Sequence, residues 1–186
     1  MTQLDRRTAM MAMLAASAGG APAGDWAASV EVRQEENLCL TYQARVEGAF
    51  LVVRAAVEPG WHTFAMDNKV RAEEKLAGKQ SLGIDRPTEI IPTGGLHVVG
   101  PWYQSAPTDF SRPELRWFSW GFAQEARFVA RVRRTSAAPA RIAFRGQACT
   151  ETVCKNIDVA ISLPLSRIGT NTDSPGLNLK DLVRVR

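Results

Sequence analysis

The sequence predicts an all-β protein, formed as an antiparallel immunoglobulin-like β-sandwich. Three observations support this: apolar and polar residues alternate in several short runs, Gly and Pro are frequent between those runs, and amphipathic helix is almost absent. The 186 residues, 45% of them hydrophobic, are sufficient for one domain with a substantial core. Because we find no internal repeat, we expect a single domain.

The N-terminal residues have the composition of a cleaved signal peptide, which we assign to residues 1–23. Arg6 and Arg7 precede an uncharged run at residues 8–20, and Ala21-Pro22-Ala23 resembles a cleavage site. The paired arginines are also compatible with the twin-arginine export route. No later stretch approaches the about 20 apolar residues that a membrane span requires. We therefore expect a periplasmic or secreted protein with no transmembrane segment in the mature chain.

The sandwich itself is expected at residues 38–165, between a flexible lead-in at residues 24–37 and a flexible tail at residues 166–186. Strands are predicted at residues 38–46, 50–57, 61–65, 88–91, 96–99, 127–133, 141–145 and 158–163. Residues 67–78 have helical composition but little apolar surface, which predicts a short surface helix. Residues 100–113 are rich in Pro and Ser and predict a long loop.

Cys149 and Cys154 enclose a four-residue polar loop between the last two predicted strands. Strand ends joined by a short loop face each other at Cα separations of about 4.5–5.5 Å, which a disulfide can bridge. Because few residues are enclosed, such a bond stabilises a fold less than a long-range bond does. Export would place the pair in an oxidising compartment, so we interpret it as a redox pair. Cys39 lies between two leucines and is expected to be buried.

Charge and histidine content indicate no particular partner. The formal net charge of +4 falls to about +3 when residues 1–23, with two arginines and one aspartate, are removed. The arginines within residues 127–134 alternate with apolar residues, which is typical of a solvated strand face rather than of a nucleic-acid site. His62 and His97 have no neighbours at metal-ligand spacing and are expected to be structural. We therefore expect no cofactor, no metal and no nucleic acid.

The cysteine loop carries a resemblance to a known family. Residues 145–154 and 162–165 resemble the N-terminal domain of the thiol:disulfide interchange protein DsbD, and residues 59–62 and 86–90 are similar to earlier stretches of that family. The resemblance extends over roughly residues 38–165, and only its cysteine hairpin is specific. It implies an immunoglobulin-like fold and a periplasmic location. One departure is that the loop between the cysteines is shorter by one residue than in the best-known member.

The resemblance also implies roles for individual residues. Cys149 and Cys154 would be the exchanging pair, and Cys154 would be linked to partners in the mixed disulfide. The family shields its cysteines with an aromatic loop. The shielding candidates in this chain are Asp109, Phe110, Trp117, Phe118 and Trp120. The aromatic residues among them are equally compatible with a place in the core.

The implied activity is electron transfer from a membrane thiol reductant of the DsbD/CcdA type to periplasmic thioredoxin-like or disulfide-isomerase proteins. Cytochrome c biogenesis is one process that such transfer serves. The chain lacks the membrane and thioredoxin-like domains of the full family protein, so we expect a free-standing domain with a separate membrane partner. Whether the chain is an oxidoreductase stays open.

Two other interpretations remain. One is a non-enzymatic secreted protein-binding sandwich in which the disulfide only tightens the hairpin. The other is a copper-handling protein that uses Cys149, Cys154 and either His62 or Met66 as ligands, because thiolate and thioether sulfur suit Cu(I).

Overall fold

The fold is described from a computed structural model, which covers residue 26 and residues 29–83, 85–165 and 177–186. The predicted signal peptide and residues 166–176 of the predicted tail lie outside these ranges. Within them, no helix is long and apolar enough to cross a lipid bilayer.

Twelve strands of the described chain form two antiparallel sheets. In chain order they are β1 (Val30–Gln34), β2 (Asn37–Glu47), β3 (Phe50–Val57), β4 (His62–Phe64), β5 (Glu89–Gly94), β6 (Leu96–Gln104), β7 (Thr108–Asp109), β8 (Trp120–Phe122), β9 (Glu125–Arg134), β10 (Ala140–Cys149), β11 (Cys154–Leu163) and β12 (Val183–Arg184). The first sheet has the order β1-β2-β3-β9-β6-β12. The second has the order β11-β10-β4-β8-β7, and β5 pairs with the first half of β10.

Alternation along the strands explains how the two sheets share one core. In β2 the buried side chains Leu40, Tyr42 and Ala44 are two residues apart and therefore lie on one face. The ring of Tyr42 stacks on Phe144 of β10, with ring centroids 4.3 Å apart. Buried residues of both sheets belong to one hydrophobic cluster. The predicted fold class, an all-β antiparallel sandwich, is confirmed.

Helix α1 (Asn68–Leu76) occupies the segment predicted to be helical at residues 67–78. Its buried side comprises Asn68, Ala72 and Leu76. The side-chain oxygen of Asn68 accepts a hydrogen bond from Trp120 N at 2.7 Å, and its Nδ2 donates to Asp85 O at 3.0 Å. A buried amide therefore anchors a helix whose apolar surface is small.

Two segments predicted to be flexible contain paired strands. The predicted lead-in at residues 24–37 includes β1, which pairs with β2. The predicted tail includes β12, which pairs with β6 at Val183 and Arg184. Both are edge strands held by main-chain hydrogen bonds, and such bonds need no apolar sequence pattern. The sequence analysis did not predict these two strands.

The loop predicted at residues 100–113 is also partly strand, because β6 continues to Gln104 and β7 follows. Gln104 is fully buried: its Nε2 donates to Asp67 Oδ1 at 2.8 Å, and its Oε1 accepts from Met66 N at 2.9 Å. A side chain buried through hydrogen bonds gives no apolar signal in the sequence. The loop prediction is therefore wrong for residues 100–104 of β6 and for β7.

Candidate functional site

The cysteine loop connects β10 to β11, and the register of these strands aligns the two cysteines. Pairing runs without interruption from Ala140 and Leu163 to Cys149 and Cys154. Cys149 and Cys154 form a disulfide across this last pair, with Cα atoms 4.1 Å apart. The disulfide therefore closes a hairpin whose strands are already paired up to that point.

The turn between the cysteines is held by its own hydrogen bonds. Thr150 N donates to Val153 O at 2.8 Å. Thr150 Oγ1 accepts hydrogen bonds from Thr152 N at 3.2 Å and from Val153 N at 3.1 Å. A threonine hydroxyl that accepts main-chain N–H groups is a common means of closing a turn. Contacts other than the disulfide thus give the hairpin tip its shape.

Gly146 allows β10 to pass close to the segment that precedes β5. Its φ is 144°, and a Cβ atom there would lie 2.9 Å from Pro87 O and 3.3 Å from Thr88 Cα. Only glycine adopts this backbone conformation without strain. The stretches at residues 145–154 and 86–90, which both resemble one family, therefore contact each other here.

The two cysteines differ in exposure. Cys149 is buried, with 3% of its surface accessible, whereas Cys154 is exposed. Exchange begins when a thiolate reaches a sulfur atom, so access decides which sulfur reacts first. The disulfide is open to another protein at Cys154 and shielded at Cys149.

A cavity of about 440 Å³ lies beside the disulfide. Its walls are the cysteine loop, residues 60–62 at the start of β4, Asp85, and side chains of the segment between β7 and β8. Its volume falls within the range of about 300–1,000 Å³ that is common for binding sites. The cavity is the place where a group from another molecule can approach the sulfur atoms.

His62 lies opposite Cys149 in the second sheet. Because β4 pairs with β10, His62 is the register partner of Cys149, and both line the cavity. The imidazole packs edge-on against Phe64, with ring centroids 5.3 Å apart, and is tilted against Phe110 at 5.1 Å. The structure thus places a histidine beside the buried cysteine.

The surroundings of His62 favour its neutral form. Burial lowers the pKa of His62; Asp85 acts in the opposite direction, and Arg112 lowers the pKa further. The sequence predicted a structural histidine here, but it did not predict that His62 lies opposite Cys149. Residues 62 and 149 are far apart in the chain and meet only through the β4–β10 pairing, so no local signal could have shown it.

An irregular hairpin between β7 and β8 forms one wall of the cavity. Arg112 N donates to Trp117 O at 2.6 Å, and Phe110 N donates to Ser119 O at 2.8 Å. Across the cavity wall, the indole Nε1 of Trp117 donates to Asp85 Oδ2 at 2.8 Å. These bonds hold the rings of Phe110 and Trp117 at the cavity.

The structure therefore brings two of the five shielding candidates to the site. Phe110 and Trp117 line the cavity, whereas Asp109, Phe118 and Trp120 do not. Phe118 and Trp120 pack in or against the core, and Asp109 is exposed, with its Oδ1 accepting a main-chain hydrogen bond at 2.8 Å. In extended backbone, neighbouring side chains point to opposite sides. Phe110 and Trp117 therefore face the cavity, whereas their neighbours Asp109 and Phe118 do not. A shielding role for Phe110 and Trp117 stays a prediction.

Ser119 is a cavity residue that the sequence analysis missed among its aromatic neighbours. Only 3% of its surface is accessible, and its Oγ has no hydrogen-bond partner among the described residues. Buried hydroxyl groups are normally paired. This hydroxyl is therefore a buried unpaired polar group in the wall of the cavity.

Cys39 and the candidate copper ligand Met66 lie elsewhere. Cys39 is a free and fully buried cysteine, as predicted, and burial raises the pKa of its thiol. Met66 packs against the core rather than lining the cavity. Across the part of the chain that the structure describes, no three His, Cys, Asp or Glu side chains are arranged to hold a metal ion.

Comparison with known proteins gives distant similarities only. No family model and no curated protein matches the sequence. The structure is similar to the N-terminal domain of DsbD from Neisseria meningitidis in its reduced form, with 13% identity, a TM-score of 0.47 and coverage of 68% of this chain and 85% of that chain.

It is also similar to the GAE domain of GGA2p from Saccharomyces cerevisiae, with 10% identity, a TM-score of 0.34 and coverage of 74% and 98% of the two chains. The family that the sequence resembles is thus found among similar solved structures. Likenesses this distant carry no function, which has to be inferred from the residues of the site.

Proposed function

We propose that this protein exchanges thiols and disulfides outside the cytoplasm through the Cys149–Cys154 pair. In this proposal it accepts electrons from a membrane thiol reductant and passes them to oxidised periplasmic thiol proteins. The observation that carries the proposal is a disulfide with one exposed and one buried cysteine, placed on a cavity at the end of a completed hairpin.

The disulfide adds little to a hairpin that is already held. It encloses four residues, so the chain-entropy model assigns it about 2 kcal/mol. The paired strands and the bonds of Thr150 also hold the two ends of the hairpin together. A structural role alone therefore explains the bond poorly, whereas a redox role requires this kind of accessible pair.

The unequal exposure of the cysteines defines an order of events. Cys154 is the sulfur that forms and loses the bond to a partner, because it is the exposed one. Cys149 is the resolving cysteine, which closes the internal disulfide and releases the partner. The cavity beside them would receive the partner's cysteine and its neighbouring residues.

The partners are proposed from the sequence. The predicted signal peptide supports a periplasmic location, where a disulfide can cycle. The resemblance of the cysteine hairpin supports a membrane reductant of the DsbD/CcdA type as donor. It equally supports thioredoxin-like or disulfide-isomerase proteins as acceptors.

The reduction potential tests the proposal. Equilibration of the protein with mixtures of reduced and oxidised dithiol, followed by mass analysis of trapped thiols, should give a value between about −270 and −120 mV, as in exchanging proteins. A potential well below about −300 mV would mark an inert structural bond and overturn the proposal.

Trapping identifies the partners. A Cys149→Ser variant expressed in the native host should accumulate mixed disulfides through Cys154, because the resolving thiol is missing. The matched control is the double variant with Cys154→Ser, which should trap nothing. If the single variant also traps nothing and replacement of both cysteines leaves the thiol balance of the cell unchanged, the protein-binding interpretation is favoured instead.

A further inference from the structure

We propose that His62 is the proton acceptor for the Cys149 thiol during exchange, and its proton donor in the reverse direction. The inference rests on the exchange function proposed above, because it assigns one step of that reaction to a residue outside the cysteine pair. It follows from the position of the two side chains in one sheet and one cavity.

The pairing of β4 with β10 brings the two groups together. Directly opposed residues of antiparallel strands project on the same face, with Cβ atoms about 4.5–5.5 Å apart. His62 and Cys149 are such a pair, and both border the same cavity. Within the described part of the chain, no hydrogen bond to another residue occupies either ring nitrogen of His62. The imidazole is therefore free to exchange a proton with the thiol.

Cys149 needs a proton acceptor from the protein, whereas Cys154 does not. The thiolate is the reactive form, and burial disfavours it because it removes water from the charge. Cys154 is exposed and can lose its proton to solvent, whereas only 3% of Cys149 is accessible. A neutral base next to Cys149 can accept the thiol proton in place of solvent.

The other charged groups of the cavity are poorly suited to this role. Arg112 is permanently protonated and can only donate. Asp85 is held by the indole N–H of Trp117 at 2.8 Å, and Glu151 is exposed in the turn. Burial and Arg112 hold the pKa of His62 down against the opposing charge of Asp85, which keeps its imidazole neutral and able to accept.

The reaction is balanced in electrons and protons. The Cys154 thiolate attacks the partner's disulfide, forms a mixed disulfide and releases the partner's first thiolate. Cys149 then transfers its proton to His62 and attacks Sγ of Cys154, which forms the internal disulfide and releases the partner's second thiolate. His62 gives this proton to solvent, and the released thiolates take up protons from solvent. The dithiol loses two electrons and the partner's disulfide gains them.

The reverse reaction uses the same groups. A donor thiolate attacks Sγ of Cys154, and the Cys149 thiolate leaves with the bond electrons. His62 takes a proton from solvent and gives it to that thiolate, which prevents the thiolate from attacking the new mixed disulfide. A second donor thiolate then resolves the mixed disulfide, which oxidises the donor and leaves both cysteines reduced.

An aromatic disulfide, dithiobis-nitrobenzoate, separates the two chemical steps. Reduced protein should release a first nitrothiobenzoate by attack of Cys154, at a rate proportional to reagent concentration. It should release a second by attack of Cys149, at a rate independent of that concentration. Stopped-flow absorbance resolves both, and fully buried Cys39 should not contribute.

The variant His62→Gln should slow the second release about tenfold or more near neutral pH, as expected for loss of general base catalysis. The first release should change less than about twofold, because Cys154 is deprotonated by solvent. The matched control is His97→Gln, which removes the other histidine of the chain at an exposed position of β6. With His97→Gln, both the first and the second nitrothiobenzoate should be released at wild-type rates.

The pH profile gives a second test that needs no variant. In the wild type the rate of the second release should be nearly independent of pH at the pH values where His62 is neutral. In His62→Gln it should rise about tenfold per pH unit, because the thiolate fraction of Cys149 rises that steeply below its pKa. If the variant is less stable, the wild-type profile decides: a tenfold rise per unit there overturns the role of His62.

Failure of this inference differs from failure of the proposed function. Equal second-release rates in His62→Gln and the wild type at every pH would overturn the role of His62, even if the reduction potential lies in the exchanging range. A slow second release in the variant together with an inert potential would support the proton transfer and reject the electron-carrier function.

Discussion

Cys149 and Cys154 are chemically identical side chains whose environments differ because of their positions in one hairpin. Cys154 begins β11, which is the edge strand of its sheet, and is exposed there. Cys149 ends β10, an inner strand, and is covered by β4 on its other side. One residue is therefore exposed to solvent, while the other lies beside His62 at the cavity.

Alkylation should reveal this difference. In reduced Cys149→Ser protein, Cys154 should react with iodoacetamide at least about tenfold faster than Cys149 does in reduced Cys154→Ser protein, because access and ionisation both favour the exposed thiol. Mass spectrometry of peptides measures each rate, and Cys39 is an internal control that should stay unmodified until the protein unfolds. Equal rates for the two thiols would contradict the assigned order of events.

At the scale of elements, a single buried carboxylate connects α1, β6 and the end of the chain. Asp67 Oδ1 accepts hydrogen bonds from Arg71 Nε and Gln104 Nε2, both at 2.8 Å, and Oδ2 accepts from Arg186 N at 3.4 Å. Burial raises the pKa of Asp67, but these bonds and the charge of Arg71 outweigh it, so the pKa lies below its usual value. The ionised carboxylate is therefore the form that the fold requires.

The variant Asp67→Asn should lower the free energy of unfolding by about 2–4 kcal/mol at pH 7, the usual cost of breaking a buried charged network. A depressed folded-state pKa adds stability above the unfolded-state pKa of about 3.9, and this stability is lost as pH falls through the folded value. The difference between variant and wild type should therefore shrink below about pH 3.9.

Urea unfolding at pH 7 and in a series of acidic buffers measures this difference. Asp158→Asn is the control: its carboxylate is 77% exposed and lies 3.7 Å from Arg145. Removal of an exposed ion pair should change stability by less than about 1 kcal/mol. A difference for Asp67→Asn that does not depend on pH would show that its ionisation is not the cause.

For the whole molecule, the sandwich is held by the two sheets and their shared core, and the disulfide lies at one end of the second sheet. Buried side chains such as Tyr42 and Phe144 join the sheets independently of the redox state of the cysteines. The fold should therefore tolerate a change of redox state, which a protein that cycles between dithiol and disulfide requires.

Reduction should lower the thermal unfolding midpoint by only about 4–8 °C, because a loss of about 2 kcal/mol shifts a domain of this size by that amount. Calorimetry with and without reductant measures the shift, and the double variant Cys149→Ser/Cys154→Ser, which has no disulfide to lose, should not respond to reductant. Unfolding of the whole protein upon reduction would instead indicate a structural disulfide.

The sequence by itself determined the features that depend on neighbouring residues. A strand-like apolar run that follows a glycine-containing turn at residues 47–49 predicted residues 50–57 as a strand, and β3 has these bounds. The pairing of Cys149 with Cys154 was equally local, since a short turn leaves the two ends of a hairpin opposite each other.

Only the tertiary structure decided which distant residues meet at the site. His62 faces Cys149 because β4 pairs with the end of β10, and Phe110 and Trp117 reach the cavity while Trp120 enters the core. Such contacts depend on strand order and register, which bring together residues with no common local pattern. For the same physical reason the sequence indicated a redox pair but not the histidine beside it.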